Sequence, residues 1–286
     1  MTYEGFSLHN IDHLATPVLL SVPHAGRVYP DALFDNLRLP PEVLVRLEDR
    51  YADLLAKEAI GASASAIVAN TARAWIDLNR DEHDLDADMV EGIGYANWPA
   101  PGAKQRGGLG LIPRRLAGVG DLWRRRITMS DVKHRIETLH RPYHAQVSEI
   151  LARMRQKFGV AILLDLHSMP PVPVTAYDKA PDFVIGDQFG RSASSRYSEY
   201  LLEQIKSQGF NANLNNPYAG DHMLRQHGNA RGAIHAIQLE VDRTLYLDEN
   251  LHEPGGGLPR IAQFIACLVQ GLANEASGNA ELLAAE

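Results

Sequence analysis

The residues best suited to chemistry follow a short apolar segment in the middle of the chain. Residues 161–164 are all apolar and lead into Asp165, Leu166 and His167, and Pro170 ends any regular structure soon afterwards. Such a segment is typical of a strand that is buried on both faces of a parallel sheet. Because side chains alternate along a strand, Asp165 and His167 should point to the same side at its carboxyl end. A carboxylate in that position can accept one imidazole N–H and fix the tautomer, as metal-binding histidines usually require.

A second histidine follows another short apolar segment. Residues 17–22 predict a strand, and His24 stands between Pro23 and Gly26 in a tight turn just beyond it. A single histidine in such a turn is more often a surface residue. An isolated Asp-x-His pair more often has a structural role, with the histidine hydrogen-bonded at the end of its strand. Open α/β sheets bind ligands at the carboxyl ends of their strands. The two histidines together therefore indicate a shared metal.

Carboxylates lie at two further positions near the expected site. Residues 40–59 predict a helix, and Asp49 and Asp53 are four residues apart within it, so both could face the site. Charges on a helix are more often simply solvated. Glu240 ends the predicted strand 233–240 and is a candidate general base, with a salt bridge at the rim of the sheet as the alternative.

Together these side chains favour a hydrolytic metal site. Two histidines and one carboxylate, Asp49 or Asp53, are a typical zinc ligand set that leaves a fourth position for water. Zinc brings the pKa of that water near neutrality and polarises a carbonyl group, while a nearby glutamate such as Glu240 transfers the proton. Iron accepts similar ligands and is the alternative metal. A serine nucleophile is disfavoured because the sequence contains no Gly-x-Ser-x-Gly motif.

Asn79 and Arg80 are candidates for binding a substrate carboxylate. They follow residues 73–78, which look like a strand paired with residues 65–69. A guanidinium group can make two parallel hydrogen bonds to a carboxylate. The alternative is a surface arginine paired with Asp77 or Asp81.

The remaining elements place these residues in an α/β fold. The apolar patterns predict strands at 17–22, 65–69, 73–78, 161–168, 182–186 and 233–240, and helices at 40–59, 130–157, 192–207 and 257–275. Residues 82–122 are rich in Gly and Pro and are interpreted as a lid or pocket wall. No linker is apparent, so residues 1–275 are expected to form a single domain, and residues 276–286 a frayed tail.

Composition excludes several other classes of protein. The chain has 286 residues, of which 45% are apolar and 22% charged, and its formal net charge is −7. Nucleic-acid binding is not favoured, since it would need a concentrated basic face. The sequence has no signal peptide and no stretch that approaches a membrane span. The single cysteine, Cys267, lies in an apolar run that predicts a buried, unreactive thiol, and the absence of a disulfide fits a reducing cytoplasm.

Four short segments, taken in order, resemble one known family. They are Ser21–Gly26, Ile76–Arg80, Leu164–Ser168 and Gln238–Glu240, and the spacing of Asp49, Asp53, Gly108-x-Gly110-x-x-Pro113, Tyr143-His144 and Gly220-Asp221-His222 fits the same pattern. The resemblance covers about residues 17–245 and is to the N-formylglutamate amidohydrolases of histidine degradation. This family is similar to zinc carboxypeptidases and aspartoacylase-type deacylases. The resemblance implies a three-layer α/β/α fold around a mixed, mostly parallel sheet, and hydrolysis of N-formyl-L-glutamate to formate and glutamate.

The resemblance also suggests how the roles are divided. Zinc carboxypeptidases carry a His-x-x-Glu ligand pair, but Arg27 stands three residues after His24, so the carboxylate ligand must come from elsewhere. Asp49 is chosen over Asp53 and Glu48. The expected ligands of Zn²⁺ are thus His24, Asp49 and His167, with Glu240 as the base.

The expected substrate is a small N-acyl amino acid. Asn79 and Arg80 match the Asn-Arg pair with which carboxypeptidase relatives hold a terminal carboxylate, and His222 and Arg225 are secondary substrate contacts. The alternatives are a deacylase or carboxypeptidase-like enzyme for another acyl group, and a non-catalytic family member that only binds a small acid. The sequence indicates no nucleic-acid or membrane partner and leaves the oligomeric state open.

Overall fold

A computed structural model describes residues 5–93, 102–173 and 179–283 of the chain. The strands are β1 (Phe6–His9), β2 (Val18–Val22), β3 (Ser65–Ala69), β4 (Arg115–Leu116), β5 (Gly120–Asp121), β6 (Ala161–Met169), β7 (Phe183–Gly186), β8 (Ala212–Leu214) and β9 (Ile234–Asp242). The α-helices are α1 (Asp31–Asn36), α2 (Ala52–Gly61), α3 (Ala103–Arg106), α4 (Met129–Arg135), α5 (Arg141–Phe158), α6 (Ser195–Ser207), α7 (His222–His227) and α8 (Leu258–Leu283). A 3₁₀ segment spans Pro41–Leu47, and a π-helical segment, Ile136–His140, joins α4 to α5.

A mixed seven-stranded sheet forms the centre of the fold. Its strand order is β1-β3-β2-β6-β9-β7-β8. The four inner neighbours β3, β2, β6 and β9 run parallel, whereas β1 and β7 pair antiparallel with β3 and β9. This arrangement confirms the predicted α/β fold with a mixed, mostly parallel sheet. It also brings the carboxyl ends of β2, β6 and β9 together at one edge.

Apolar side chains cover both faces of the sheet. On β6, Ile162, Leu164 and Leu166 join the core that α2, α6 and α8 cover, whereas Ala161 and Leu163 join the core that α5 covers. Every residue of β6 is buried, which is why its sequence is apolar without alternation. The result is the predicted three-layer arrangement of helices on both sides of a sheet.

Two predicted elements are wrong. Residues 73–78 form turns and not a strand: the N–H of Trp75 donates to the carbonyl of Ala72, and that of Asp77 to the carbonyl of Leu111. The predicted helix 40–59 is broken at residues 48–51, because Glu48 is extended and Tyr51 has a left-handed backbone with φ of 57°. Asp49 therefore lies between two helical segments, and the argument that it shares a helix face with Asp53 does not hold.

Three smaller differences concern other parts of the chain. Helix α8 continues to Leu283, beyond the expected end at residue 275, and Ala276 is fully buried. Cys267 is exposed on α8 and not buried. The described parts of 82–122 contain α3, β4 and β5, whereas residues 94–101 lie outside the described chain. Within the described ranges, no helix is long and apolar enough to cross a membrane.

Candidate metal centre and active site

His24 is held in one orientation at the end of β2. Its Nε2 lies 2.7 Å from Oδ1 of the buried Asp77, so the N–H is on Nε2 and donates to the carboxylate. The turn that carries His24 fits closely against the chain at Thr71, where a Cβ on Gly26 would lie 2.0 Å from the Thr71 carbonyl oxygen. Glycine is therefore required at this position. The Nδ1 of His24 is buried and has no hydrogen-bond partner among the described residues.

His167 is held in a matching way on β6. Its Nε2 lies 2.8 Å from Oδ2 of Asp165, as expected for residues two apart on one strand. Asp165 also accepts a hydrogen bond from Oγ of Ser21 at 2.8 Å. Both histidines thus have Nε2 against a buried aspartate, which leaves Nδ1 of each ring facing the space between them. The two rings are 4.8 Å apart at their centroids.

Asp49 lies at these two Nδ1 atoms. Its Oδ2 is 2.8 Å from Nδ1 of His167 and 3.4 Å from Nδ1 of His24. Its backbone N–H donates to the carbonyl oxygen of His24, a contact that fixes Asp49 within the break between the 3₁₀ segment and α2. The other two candidate ligands point elsewhere: Asp53 makes a bidentate pair with Arg27, and Glu48 bonds Arg50 and the hydroxyl of Tyr29.

This donor set fits a divalent metal ion. One ligand atom from each of His24, Asp49 and His167 lies within 4.8 Å of the others, and all three residues are buried. Two imidazoles and one carboxylate are a hydrolytic zinc ligand set. Asp77 and Asp165 supply the outer carboxylates that orient metal-binding imidazoles. The buried, unpaired Nδ1 of His24 is the strongest single indication of a bound ion, since a buried polar atom without a partner costs free energy.

The charges of the metal-free site are strongly coupled. Burial would raise the pKa of Asp49, but the hydrogen bond from His167 and the electrostatic interaction with both histidines hold this pKa well below its usual range. Burial would lower the pKa of His167, but the carboxylates of Asp165 and Asp49 raise it well above its usual range. Without a metal, a proton on His167 thus places a positive charge between the buried carboxylates of Asp165 and Asp49. A divalent ion would replace that proton.

Glu240 lies at the same sheet edge. Its Oε1 accepts a hydrogen bond of 2.8 Å from Nε2 of Gln238, and the residue is 9% exposed. Burial raises the pKa of Glu240 to about 7, with smaller contributions that include the negative charges of Asp49 and Asp165. A carboxyl group with a pKa near the working pH can both accept and return a proton.

A large cavity of about 1440 Å³ opens over these residues. His24, Asp49, His167 and Glu240 lie in its wall, together with residues from the described part of 82–122, as expected for a pocket wall. Basic side chains outnumber acidic ones in its lining. The basic residues are Arg46, Arg73, Arg80, Lys104, Arg115, Arg225 and Arg243.

The predicted substrate-binding residues have partners within the chain. Arg80 donates to the carbonyl of Leu109 and to Asp221, the latter at 2.5 Å, and is 4% exposed. Arg225 bonds the other oxygen of Asp221. The amide of Asn79 lies 3.2 Å from Nε2 of His167, and its oxygen accepts the N–H of Met223. Asn79, Arg80 and Arg225 line the cavity, and their predicted contact with a substrate stays a prediction.

His222 lies apart from the cavity. It belongs to a second group of buried histidines with His140 and His144, and the described cavity lining does not include it. The structure therefore does not bring it to the expected position for a substrate contact.

Two residues near the centre escaped the sequence analysis. Asp77 was considered only as an ion-pair partner of Arg80, although it holds both His24 and Arg73. The sequence feature that could have indicated a role at the site was its position two residues before the candidate Asn79. Arg243 donates to the carbonyl of Glu48 and lies 3.4 Å from Asp49, and nothing in its local sequence indicates this contact.

Comparison with known proteins identifies the family. A sequence profile described as N-formylglutamate amidohydrolase matches residues 16–247. N-formylglutamate deformylase of Pseudomonas putida is 32% identical over 242 residues, covering 82% of each chain, and that of Pseudomonas aeruginosa is 29% identical over 82% of this chain and 83% of its own. The crystal structure of N-formylglutamate amidohydrolase from Ralstonia eutropha JMP134 has a TM-score of 0.88 at 28% identity, over 96% of this chain and 99% of that chain. The chain belongs to the N-formylglutamate amidohydrolase family.

Proposed function

We propose that this protein is a metal-dependent amidohydrolase that cleaves N-formyl-L-glutamate to formate and L-glutamate. The observation that carries the proposal is the buried group His24, Asp49 and His167, with an unpaired imidazole nitrogen, beside a carboxyl group whose pKa is raised toward neutrality. The names of the relatives support the substrate. The sequence resemblance implies a role in histidine degradation.

Each residue of the site has a separate role in amide hydrolysis. His24, Asp49 and His167 would hold the ion, with Asp77 and Asp165 orienting the two rings. When bound, a divalent ion such as Zn²⁺ supplies Lewis-acid chemistry for the attack of water on the formyl carbonyl. Glu240 takes the proton from the attacking water and returns it to the departing amine nitrogen. This last step releases glutamate.

The basic lining of the cavity fits a substrate with two carboxylates. Seven cationic side chains line the cavity beside four acidic ones, and an excess of positive charge raises the local concentration of an anionic ligand. We assign the α-carboxylate to Arg80 and Asn79, as the sequence resemblance implies. Arg80 already forms one charged pair with Asp221. A substrate carboxylate would therefore join or replace Asp221 at the guanidinium group.

A substrate screen combined with metal analysis tests the proposal. The untagged enzyme is assayed with N-formyl, N-acetyl and N-succinyl derivatives of glutamate, before and after removal of metal by a chelator. We expect hydrolysis of N-formylglutamate above the others, loss of activity in metal-free protein, and recovery with Zn²⁺. His24→Ala should abolish turnover and remove the equivalent of metal that His24, Asp49 and His167 would hold, whereas His13→Ala, at an exposed histidine, should change neither.

The same screen separates the alternatives. Preference for another acyl group would identify a related deacylase. Full turnover by metal-free enzyme would contradict metal dependence. Binding of the acids without hydrolysis of any would identify a non-catalytic member of the family.

A further inference from the structure

Four buried histidines form a second cluster, which we call the histidine cluster: His140, His144, His222 and His227. The ring of His144 lies at the centre, with centroids 4.4 Å from His140 and 5.1 Å from both His222 and His227. His140 ends the π-helical segment, a feature often found at functional sites. The described lining of the large cavity includes none of the four.

The hydrogen bonds of the cluster fix the tautomers of two rings. Nε2 of His140 lies 2.8 Å from the carbonyl oxygen of Arg80, and Nε2 of His144 lies 3.0 Å from that of Leu78. A carbonyl oxygen only accepts, so each ring carries its proton on Nε2 and a lone pair on Nδ1. In His222, Nδ1 lies 3.7 Å from a carboxylate oxygen of Asp81. An imidazole N–H directed at a carbonyl or carboxylate is the usual outer contact of a metal-binding histidine.

We propose that His140, His144 and His222 bind a second divalent transition-metal ion, separate from the candidate catalytic ion. One ring nitrogen from each lies within 4.8 Å of the others. Nitrogens in a tetrahedral zinc site lie about 3.3 Å apart, so small rotations of the rings close the site. Imidazole ligands without a carboxylate among them suit Zn²⁺, Co²⁺, Ni²⁺ or Cu²⁺ and not Mg²⁺ or Ca²⁺.

The protonation of the cluster supports this assignment. Burial lowers the pKa of His140, holds that of His144 well below its usual range, and lowers that of His222 to about 4. The rings are therefore neutral at neutral pH. An ion can bind them without displacing protons, in contrast to the site at His167.

His227 competes with the ion for His144. Its Nε2 lies 2.8 Å from Nδ1 of His144 and donates to it, because that Nδ1 carries a lone pair. Nδ1 of His227 is then an acceptor, 3.3 Å from the hydroxyl oxygen of Ser148. The bond from His227 to His144 occupies the lone pair that the ion needs. Metal binding thus requires His227 to turn away, and its removal should strengthen binding.

The test uses a full-length, untagged protein with the candidate catalytic site disabled, His24→Ala/His167→Ala. After chelator treatment it is titrated with Co²⁺ and Zn²⁺, followed by visible absorption and elemental analysis. We expect one equivalent of bound metal and an increase in melting temperature when it binds. Adding His140→Ala should remove that equivalent, adding His227→Ala should tighten binding, and adding His13→Ala, which is exposed, should change nothing.

A second measurement covers the case in which the disabled protein does not fold. The native protein should then bind two equivalents and His140→Ala one. If the disabled protein folds, as circular dichroism would show, and binds no metal, the proposal is overturned. Equal metal content in native protein and His140→Ala overturns it as well. The double variant His24→Ala/His140→Ala distinguishes this failure from failure of the proposed function. Metal retained by that variant would show that His24 does not hold the candidate catalytic ion.

Discussion

His167 and Glu240 are direct partners on the neighbouring parallel strands β6 and β9. Residues paired in this way project from the same face of a sheet, so the carboxyl group of Glu240 lies beside the imidazole of a candidate metal ligand. The strand pairing alone brings together two residues that are 73 positions apart in the sequence. This pairing is the structural reason for assigning proton transfer to Glu240.

Replacement of Glu240 by glutamine should stop catalysis and leave the rest of the site intact. Glu240→Gln keeps the volume and hydrogen-bonding capacity of the side chain but cannot accept a proton. We expect turnover to fall by roughly two to four orders of magnitude, with metal content and substrate affinity close to native. Steady-state kinetics and elemental analysis check this, with the exposed Glu249→Gln as the control. Near-native turnover would remove Glu240 from the mechanism, and loss of metal would make it a ligand.

The same variant should change the pH dependence of stability in metal-free protein. Burial raises the pKa of Glu240 from 4.5 to about 7 in the folded state, so folding favours the protonated form. The stability that this preference gives is complete below pH 4.5 and is lost as the pH rises through 7. Glutamine mimics the protonated group at every pH.

Metal-free Glu240→Gln should therefore be more stable than metal-free native protein at pH 8, by up to about 3 kcal/mol. The difference should disappear as the pH falls below 4.5. Urea unfolding of the two proteins at several pH values measures the stability difference and its dependence on pH. A difference that is independent of pH would show that the carboxyl group is not desolvated as the structure indicates.

The buried strands were predictable because their sequences reflect burial directly. β2, β3, β6 and β9 are short apolar runs, and both Asp165-His167 and Glu240 were recognised at their carboxyl ends. The position of Asp49 was not predictable in the same way. Its surroundings have helical periodicity, and only a hydrogen bond to the distant carbonyl of His24, together with the left-handed Tyr51, breaks the helix there.

Asp77 illustrates the same limit. Its segment resembles a strand in composition, but its backbone bonds Leu111 and its carboxylate bonds His24. Contacts between residues far apart in sequence decide both positions, and local patterns of apolar residues contain no information about them. Strand ends were therefore found from sequence, whereas the residues that orient the ligands were not.

Asp49 and Asp53 offer a matched pair of variants. Asp49→Asn removes the charge that lies against both candidate imidazole ligands, so metal affinity should fall by about 100-fold or more, beyond the range seen for outer contacts. Asp53→Asn removes only a partly exposed pair with Arg27 and should leave metal affinity nearly native. Competition titrations with a chromophoric chelator measure both. The reverse order of effects would transfer the ligand role to Asp53.

Arg80 is the residue through which substrate recognition is most directly tested. Arg80→Ala should lower kcat/KM by roughly two to three orders of magnitude, because a buried guanidinium–carboxylate pair is lost. Arg80→Lys should recover only part of this, since lysine lacks the planar fork. Arg225→Ala is the comparison: it also removes a partner of Asp221, but from a side chain that is 52% exposed, so its effect should be smaller.

A substrate with its α-carboxylate converted to an amide separates recognition from folding. With native enzyme the amide should cost about as much catalytic efficiency as the loss of Arg80, because both remove the same charged pair. With Arg80→Ala the amide should cost little more, since the pair is already absent. Steady-state kinetics of the two enzymes with the two substrates complete the cycle. An equal amide penalty in both enzymes would mean that Arg80 does not contact the carboxylate, and that its bond to Asp221 is its principal role.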